Sequence, residues 1–198
     1  PPPRNDGFPN QNTRCLSSGE NVHYLPLLDK SHLNGRPICD ENKHMQPRFH
    51  IVMFHPEIPH NTGAAGRLAL ATGSRLHLIK PLGFSLDEKH VRRTGLDYWA
   101  KVDLHVWDSL EELKQAAAPG AQFWYLSTKA PRSHWDAVFH AGDYLVFGPE
   151  SRGLPESMLK EHADTALTIP MPGEGARSLN LSTAIAVVLY EGLRQTGI

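Results

Sequence analysis

The sequence predicts an α/β fold in which a parallel β-sheet is flanked by helices. Three observations predict it. From Phe49 onward, short apolar runs alternate with helical patterns, which argues for a parallel sheet covered on both faces. The last of those helical patterns carries an apolar stripe fit to face a sheet or a partner. The 198 residues, 40% hydrophobic and 21% charged, suit one ordinary domain with a core of useful size.

The elements follow in order. Phe49 to Phe54 reads as a strand. A helix follows from about Thr62 to Thr72, closed by Gly73 at a C-cap position. Arg75 to Ile79 is a second strand, Asp87 to Thr94 a short helix, and Lys101 to Trp107 a third strand. Ser109 caps a helix reaching Ala118, with Glu111 and Glu112 placed to favour its positive end. Gln122 to Ser127, Tyr144 to Phe147 and Ala166 to Ile169 are further strands. Leu179 to Arg194 is the final helix, with Leu181, Ile185, Val188 and Leu189 forming its stripe.

Residues 1–46 differ in character. They open Pro-Pro-Pro, are rich in Asn, Pro, Gly and Ser, and hold one short apolar patch from Val22 to Leu28. Such a segment buries little surface and is expected to be an irregular, disordered leader to a domain spanning 47–198. Met45, just ahead of the first strand, is a candidate translation start.

Bulk properties exclude little. A net charge of −1 is unlike a protein that simply coats nucleic acid, so any RNA contact must come from local basic patches. Cys15 and Cys39 belong to no C-x-x-C pair, and His50, His55 and His60 share no helix face, so no metal site is expected. No apolar run approaches the roughly 18 residues of a membrane span, and no signal peptide is evident. The expectation is a cytoplasmic protein without membrane contact.

Three loops carry candidate chemistry. The first, Pro56 to Arg67, follows the first strand and opens a helix whose Gly63, Ala64, Ala65 and Gly66 allow close backbone approach. Arg67 lies one turn in, where a guanidinium can address a phosphate or a developing negative charge. The plainer account is that Asn61 or Thr62 caps the helix and Arg67 is a solvated charge. The second loop, Phe147 to Pro155, leaves a strand at once and places Gly148 at the sheet edge where α/β proteins bind ligands. Its plainer account is a strand-to-helix turn with Pro155 at the helix start.

The third loop, Ile169 to Ser182, is broken by two prolines and two glycines. Ser178 suits a capping role, whereas Asn180, read as just inside the helix, is harder to explain that way. None of the three matches the dinucleotide or P-loop glycine fingerprints.

The strings PEIPHNTGAAGR, LDYW, FGPESRGLP and IPMPGEGARSLNLSTAIAVVLYE occur in that order. Together they resemble the motifs of the SPOUT methyltransferases, most closely the tRNA (cytidine/uridine) wobble 2′-O-methyltransferases. The resemblance spans roughly Phe49 to Gly197. It implies a C-terminal deep trefoil knot, which no pattern argument would produce because knots are nearly absent from proteins. It also implies S-adenosylmethionine as cofactor, held by Leu126, Gly148, Ile169 and Ser178. The anticodon loop of tRNA is the implied substrate, and a homodimer the implied assembly, built on the first and last helices.

By the same resemblance, Arg67, Ser178 and Asn180 are the catalytic candidates. Arg67 would serve as an electrostatic clamp, since a guanidinium hardly deprotonates. Asn61, Glu150 and Arg152 are expected near the substrate RNA. Arg92 and Arg93, with Lys89, Tyr98 and Trp99 beside them in the sequence, offer cations and rings to the same RNA, unless the two arginines only decorate a solvated helix and Trp99 is core; Lys129 and Arg132 form a second cluster. Three rival readings are a 2′-O-methyltransferase of another RNA, a catalytically silent RNA- or SAM-binding module, and a flavodoxin-like nucleotide binder, which the lack of phosphate-loop signals disfavours. The intact Arg67, Ser178 and Asn180 count against the silent module.

Overall fold

A computed structural model describes residues 46–86 and 98–197. Seven strands form one sheet: β1 (His50–Phe54), β2 (Arg75–Ile79), β3 (Leu104–Trp107), β4 (Phe123–Leu126), β5 (Arg132–Ser133), β6 (Tyr144–Phe147) and β7 (Ala166–Thr168). Their order is β3-β2-β1-β6-β4-β7-β5, and every pairing is parallel. The helices are α1 (Pro59–Thr72), α2 (Leu110–Ala116), α3 (Glu156–Glu161) and α4 (Leu181–Thr196), with 3₁₀ turns at Trp99–Lys101, His134–Asp136 and Ala163–Thr165.

The period of two along each strand divides the core into two layers. Ile51 and Met53 point into one, with Ala65 and Ala69 of α1 and Ile185, Val188 and Leu189 of α4. Val52 points into the other, with Leu110 and Leu113 of α2 and Leu154 before α3. The expected helix-flanked parallel sheet is therefore present.

Boundaries shift where local chemistry was misread. The helix expected to begin near Thr62 begins at Pro59, because the fixed φ of proline suits a first helical position. Asn61 and Thr62 are thus buried inside the first turn and do not cap it; Ile58 holds the cap position with no side-chain bond. Gly73 closes α1 in the left-handed conformation, φ 64°, as expected. Ser109 caps α2 by accepting from the Glu112 amide. The third strand is shorter than expected, since Trp99–Lys101 is a 3₁₀ turn. The last helix starts two residues late, at Leu181. The two residues of β5 are too few to leave a pattern. The helix expected at 87–94 lies outside the described residues.

Candidate active site

All three loops converge at the carboxyl edge of the sheet. Strands β4, β6 and β7 end side by side there, and their exits enclose a cleft of about 610 Å³. Leu126, Gly148, Ile169, Ser178, Asn61, Glu150, Arg152 and Asn180 all line it. Eight expected site residues from four stretches of chain thus meet in one place. Met171 and Arg177 join them from the third loop, and their loop was legible although their individual parts were not.

The loops are tied by carboxylates. One Glu150 oxygen accepts the Glu57 amide at 2.8 Å; the other accepts Asn61 Nδ2 at 2.9 Å and the Ile58 amide at 3.3 Å. In return the Glu57 carboxylate accepts the Ser151 amide at 2.9 Å and its hydroxyl at 2.8 Å. The Ser151 hydroxyl and amide hold the Glu57 carboxyl below the usual range. The first and second loops are therefore clasped by two reciprocal carboxylates. Both Glu150 oxygens are thereby engaged in tying the second loop to the first.

Asn61 relays this clasp to the third loop. Its Oδ1 accepts Asn180 Nδ2 at 3.1 Å. Asn180 is also the N-cap of α4: its Oδ1 accepts the Ser182 amide at 3.0 Å and the Thr183 amide at 3.4 Å. Asn180 is thus the cap itself rather than a residue inside the helix. The neighbouring Ser178 is exposed on the cleft wall.

Gly148 is where the second loop turns back on itself. A Cβ there would lie 2.3 Å from the Leu154 amide nitrogen and 2.4 Å from the Gly153 carbonyl carbon, both backbone atoms that cannot swing away. The loop closes through the Gly153 amide, which donates to the Pro149 carbonyl at 2.9 Å. His55, which follows β1, has φ 51°, a left-handed conformation unusual for histidine. Burial, then the Arg152 charge, lowers its pKa.

Arg67 does not line the cleft. It is exposed on α1, its guanidinium carbon 4.8 Å from the centroid of the Tyr98 ring. It lies six positions after Asn61, which is about 9 Å along a helix and about 120° around it. One chain therefore does not bring its own Arg67 to its own Asn61. Arg92, Arg93 and Lys89 lie outside the described residues. Lys129 reaches the cleft wall but pairs with Glu156 at 2.7 Å, and Arg132 is turned to backbone carbonyls of Asp164 and Asp136.

The cleft suits a nucleoside cofactor. Its volume falls in the ordinary range for small-ligand pockets, roughly 300 to 1,000 Å³. Apolar Leu126, Ile169 and Leu181 offer a surface for a flat ring, and Ser127, Thr128 and Ser178 offer hydroxyls to the polar groups. Among the described residues, no group of three or more His, Cys, Asp or Glu is gathered as a metal site would need.

Comparison with known proteins gives a consistent result. The model of the SpoU rRNA Methylase family matches residues 48–190. A protein of Saccharophagus degradans named tRNA (cytidine(34)-2'-O)-methyltransferase is 50% identical over 153 residues, covering 75% of this chain and 96% of its own. One of Methylovorus glucosotrophus with the same name is 46% identical over 148 residues, covering 74% and 95%. A solved structure reported under structural insights into the 2-OH methylation of C/U34 on tRNA superposes with a TM-score of 0.69 at 48% identity, covering 74% of this chain and 95% of that one. The methyltransferase AviRb of Streptomyces viridochromogenes, solved with AdoMet, superposes with a TM-score of 0.63 at 25% identity, covering 77% and 62%.

Proposed function

The chain is a methyltransferase belonging to the SpoU rRNA methylase family, and we propose that it methylates the wobble ribose of tRNA, as a tRNA (cytidine(34)/uridine(34)-2′-O)-methyltransferase using S-adenosylmethionine. The observation that carries this reading is the meeting of all three loops at one cleft, in a chain 50% identical over 153 residues to a relative named tRNA (cytidine(34)-2'-O)-methyltransferase. The family name speaks of ribosomal RNA; the relatives at 45–50% identity are named for tRNA, and they are the closer guide to substrate.

S-adenosylmethionine supplies an activated methyl group on a sulfonium. Leu126, Gly148, Ile169 and Ser178 would hold it in the cleft. The chain's own task is alignment and charge. Fixing the ribose 2′-oxygen in line with the methyl makes the step effectively intramolecular, an effect worth several kcal/mol, up to roughly 7 to 11 in the best-oriented cases. Ser178 and Asn180 stand where they can orient the ribose. Arg67 contributes a fixed positive charge that favours the oxygen as its proton leaves, and it neutralises the adjacent phosphate. In this proposal Arg152 meets the incoming RNA, and Arg92 and Arg93 contribute further cations to its recognition.

The position of Arg67 supports a homodimer built on α1 and α4, in which one copy's Arg67 serves the other's cleft. These two helices pack together and leave Leu70, Val187 and Tyr190 exposed at 39%, 38% and 51%. Large apolar residues left exposed on two packed helices suit burial against a second copy. The C-terminal trefoil knot of the family is part of the same proposal. So is a cytoplasmic location; among the described residues no helix is long and apolar enough to cross a membrane. Methyl transfer from labelled S-adenosylmethionine, with unmodified tRNA set against ribosomal RNA, tests the substrate class.

A further inference from the structure

Arg67 sits on an exposed helix face, yet its side chain does not stand alone. The Tyr98 ring lies beneath the guanidinium, centroid to carbon 4.8 Å. The Tyr98 hydroxyl reaches past it and donates to the Gly63 carbonyl at 3.0 Å. Gly63 and Arg67 are four residues apart, so carbonyl and guanidinium lie on one face of α1 a turn from each other. The next residue, Trp99, fills the notch at Gly66: a Cβ on Gly66 would come within 2.5 Å of its ring. Tyr98 is thus pinned at both ends, by its hydroxyl on α1 and by a neighbour seated against the same helix.

An arginine at a helix surface ordinarily samples many rotamers. A ring face under the guanidinium attracts its charge and narrows that choice. The hydroxyl bond fixes the ring, so the ring can fix the cation. From this geometry we propose that Tyr98 is a positioning residue for the methyl-transfer step: it holds Arg67 in one orientation, ready for the ribose oxygen and its phosphate. The inference rests on the role proposed for Arg67.

The test compares wild type, Tyr98→Leu, Tyr98→Phe and Arg67→Ala in full-length protein with unmodified tRNA and S-adenosylmethionine. Rates are taken under single turnover and at steady state. Cofactor Kd and Tm are measured alongside, and the Arg67 Nε–H resonance is followed by NMR for the ring-current shift of an overlying aromatic. Tyr98→Leu is expected to lower kcat about tenfold, to leave cofactor Kd within about twofold, and to abolish the ring-current shift. Tyr98→Phe keeps the ring face but loses the hydroxyl bond to Gly63, so its ring-current shift and kcat are both expected to fall between those of wild type and Tyr98→Leu.

Wild-type kcat in Tyr98→Leu would overturn the proposal. So would a loss of kcat with the Arg67 resonance unmoved, because the tyrosine would then act on something else. Full activity in Arg67→Ala would overturn the underlying reading together with this one. That outcome is told apart from the others because the Arg67–Tyr98 contact is read independently in the wild-type spectrum.

Discussion

Asn180 Nδ2 donates to Asn61 Oδ1 at 3.1 Å, joining residues 119 positions apart in the chain. The bond links the cap of the last helix to the first turn of the first. Through Asn61 it continues to Glu150, so a single line of polar contacts runs across all three loops of the cleft.

This line separates two roles of Asn180. Asn180→Asp keeps an N-cap oxygen, and aspartate caps about as well as asparagine, but it sets a carboxylate against Asn61 Oδ1. It is expected to retain most of the stability while losing most of the methyl-transfer rate. Asn180→Ala loses the cap as well, at a cost of about 0.5–2 kcal/mol in stability. Chemical denaturation beside a turnover assay checks both; equal stability losses in the two variants would contradict the division.

Glu150→Gln tests the clasp. The carboxylate accepts three donors, and an amide in its place turns an N–H toward at least one of them. An unmet donor of this kind costs about 1–3 kcal/mol. The expected result is a lower Tm and weaker S-adenosylmethionine binding by calorimetry, because the loop that carries Gly148 is freed from α1.

Gly148→Ala is expected to be worse for cofactor binding than for secondary structure. Its Cβ would meet the backbone of Gly153 and Leu154, at 2.4 and 2.3 Å, so the loop must shift. Overpacking typically costs about 1–3 kcal/mol. Cofactor affinity should fall at least tenfold while far-UV circular dichroism stays near wild type.

A separate prediction concerns pH. Trp107 Nε1–H donates to His77 Nδ1 at 2.9 Å, which leaves the His77 proton on Nε2, and that nitrogen meets His50 Nδ1 at 2.8 Å. The chain of donors is satisfied only when both imidazoles are neutral. Burial, then the Arg75 charge, lowers the His50 pKa to about 4; burial, then His50, lowers that of His77 to about 2.

The unfolded chain takes up these protons near the ordinary histidine value, about 6.5, and the folded chain does not. Stability is therefore full above pH 6.5 and falls as pH drops from 6.5 through about 4, continuing toward 2 for His77. Tm measured between pH 8 and 4 should show that decline. His50→Phe, which keeps the stack on Tyr144, should flatten the slope while lowering Tm at neutral pH, since the His77 Nε2–H loses its acceptor.

How far the sequence announced this molecule follows from where each interaction comes from. Strands β2 and β6 were read to the residue, and Gly73 and Ser109 were read as caps, because each signal is local. The start of α1 is hidden in the sequence because Asn61 and Thr62 both carry the side-chain oxygen of a cap, while the bonds on that turn come from Glu150, 92 residues from Ile58. The clasp of Glu57 with Ser151 was invisible for the same reason. The cleft residues were legible through the resemblance of their loops, while the displacement of Arg67 from the cleft appears only once α1 is wound.

Wobble-ribose methylation is read out by mapping the product. tRNA lacking wobble 2′-O-methylation is incubated with the protein and labelled S-adenosylmethionine, then digested and read by mass spectrometry, with Arg67→Ala in parallel. One methyl is expected on the ribose of nucleotide 34, reduced roughly a hundredfold or more in the variant. Methylation elsewhere, or none on any tRNA by a protein that binds the cofactor, would contradict wobble-ribose methylation.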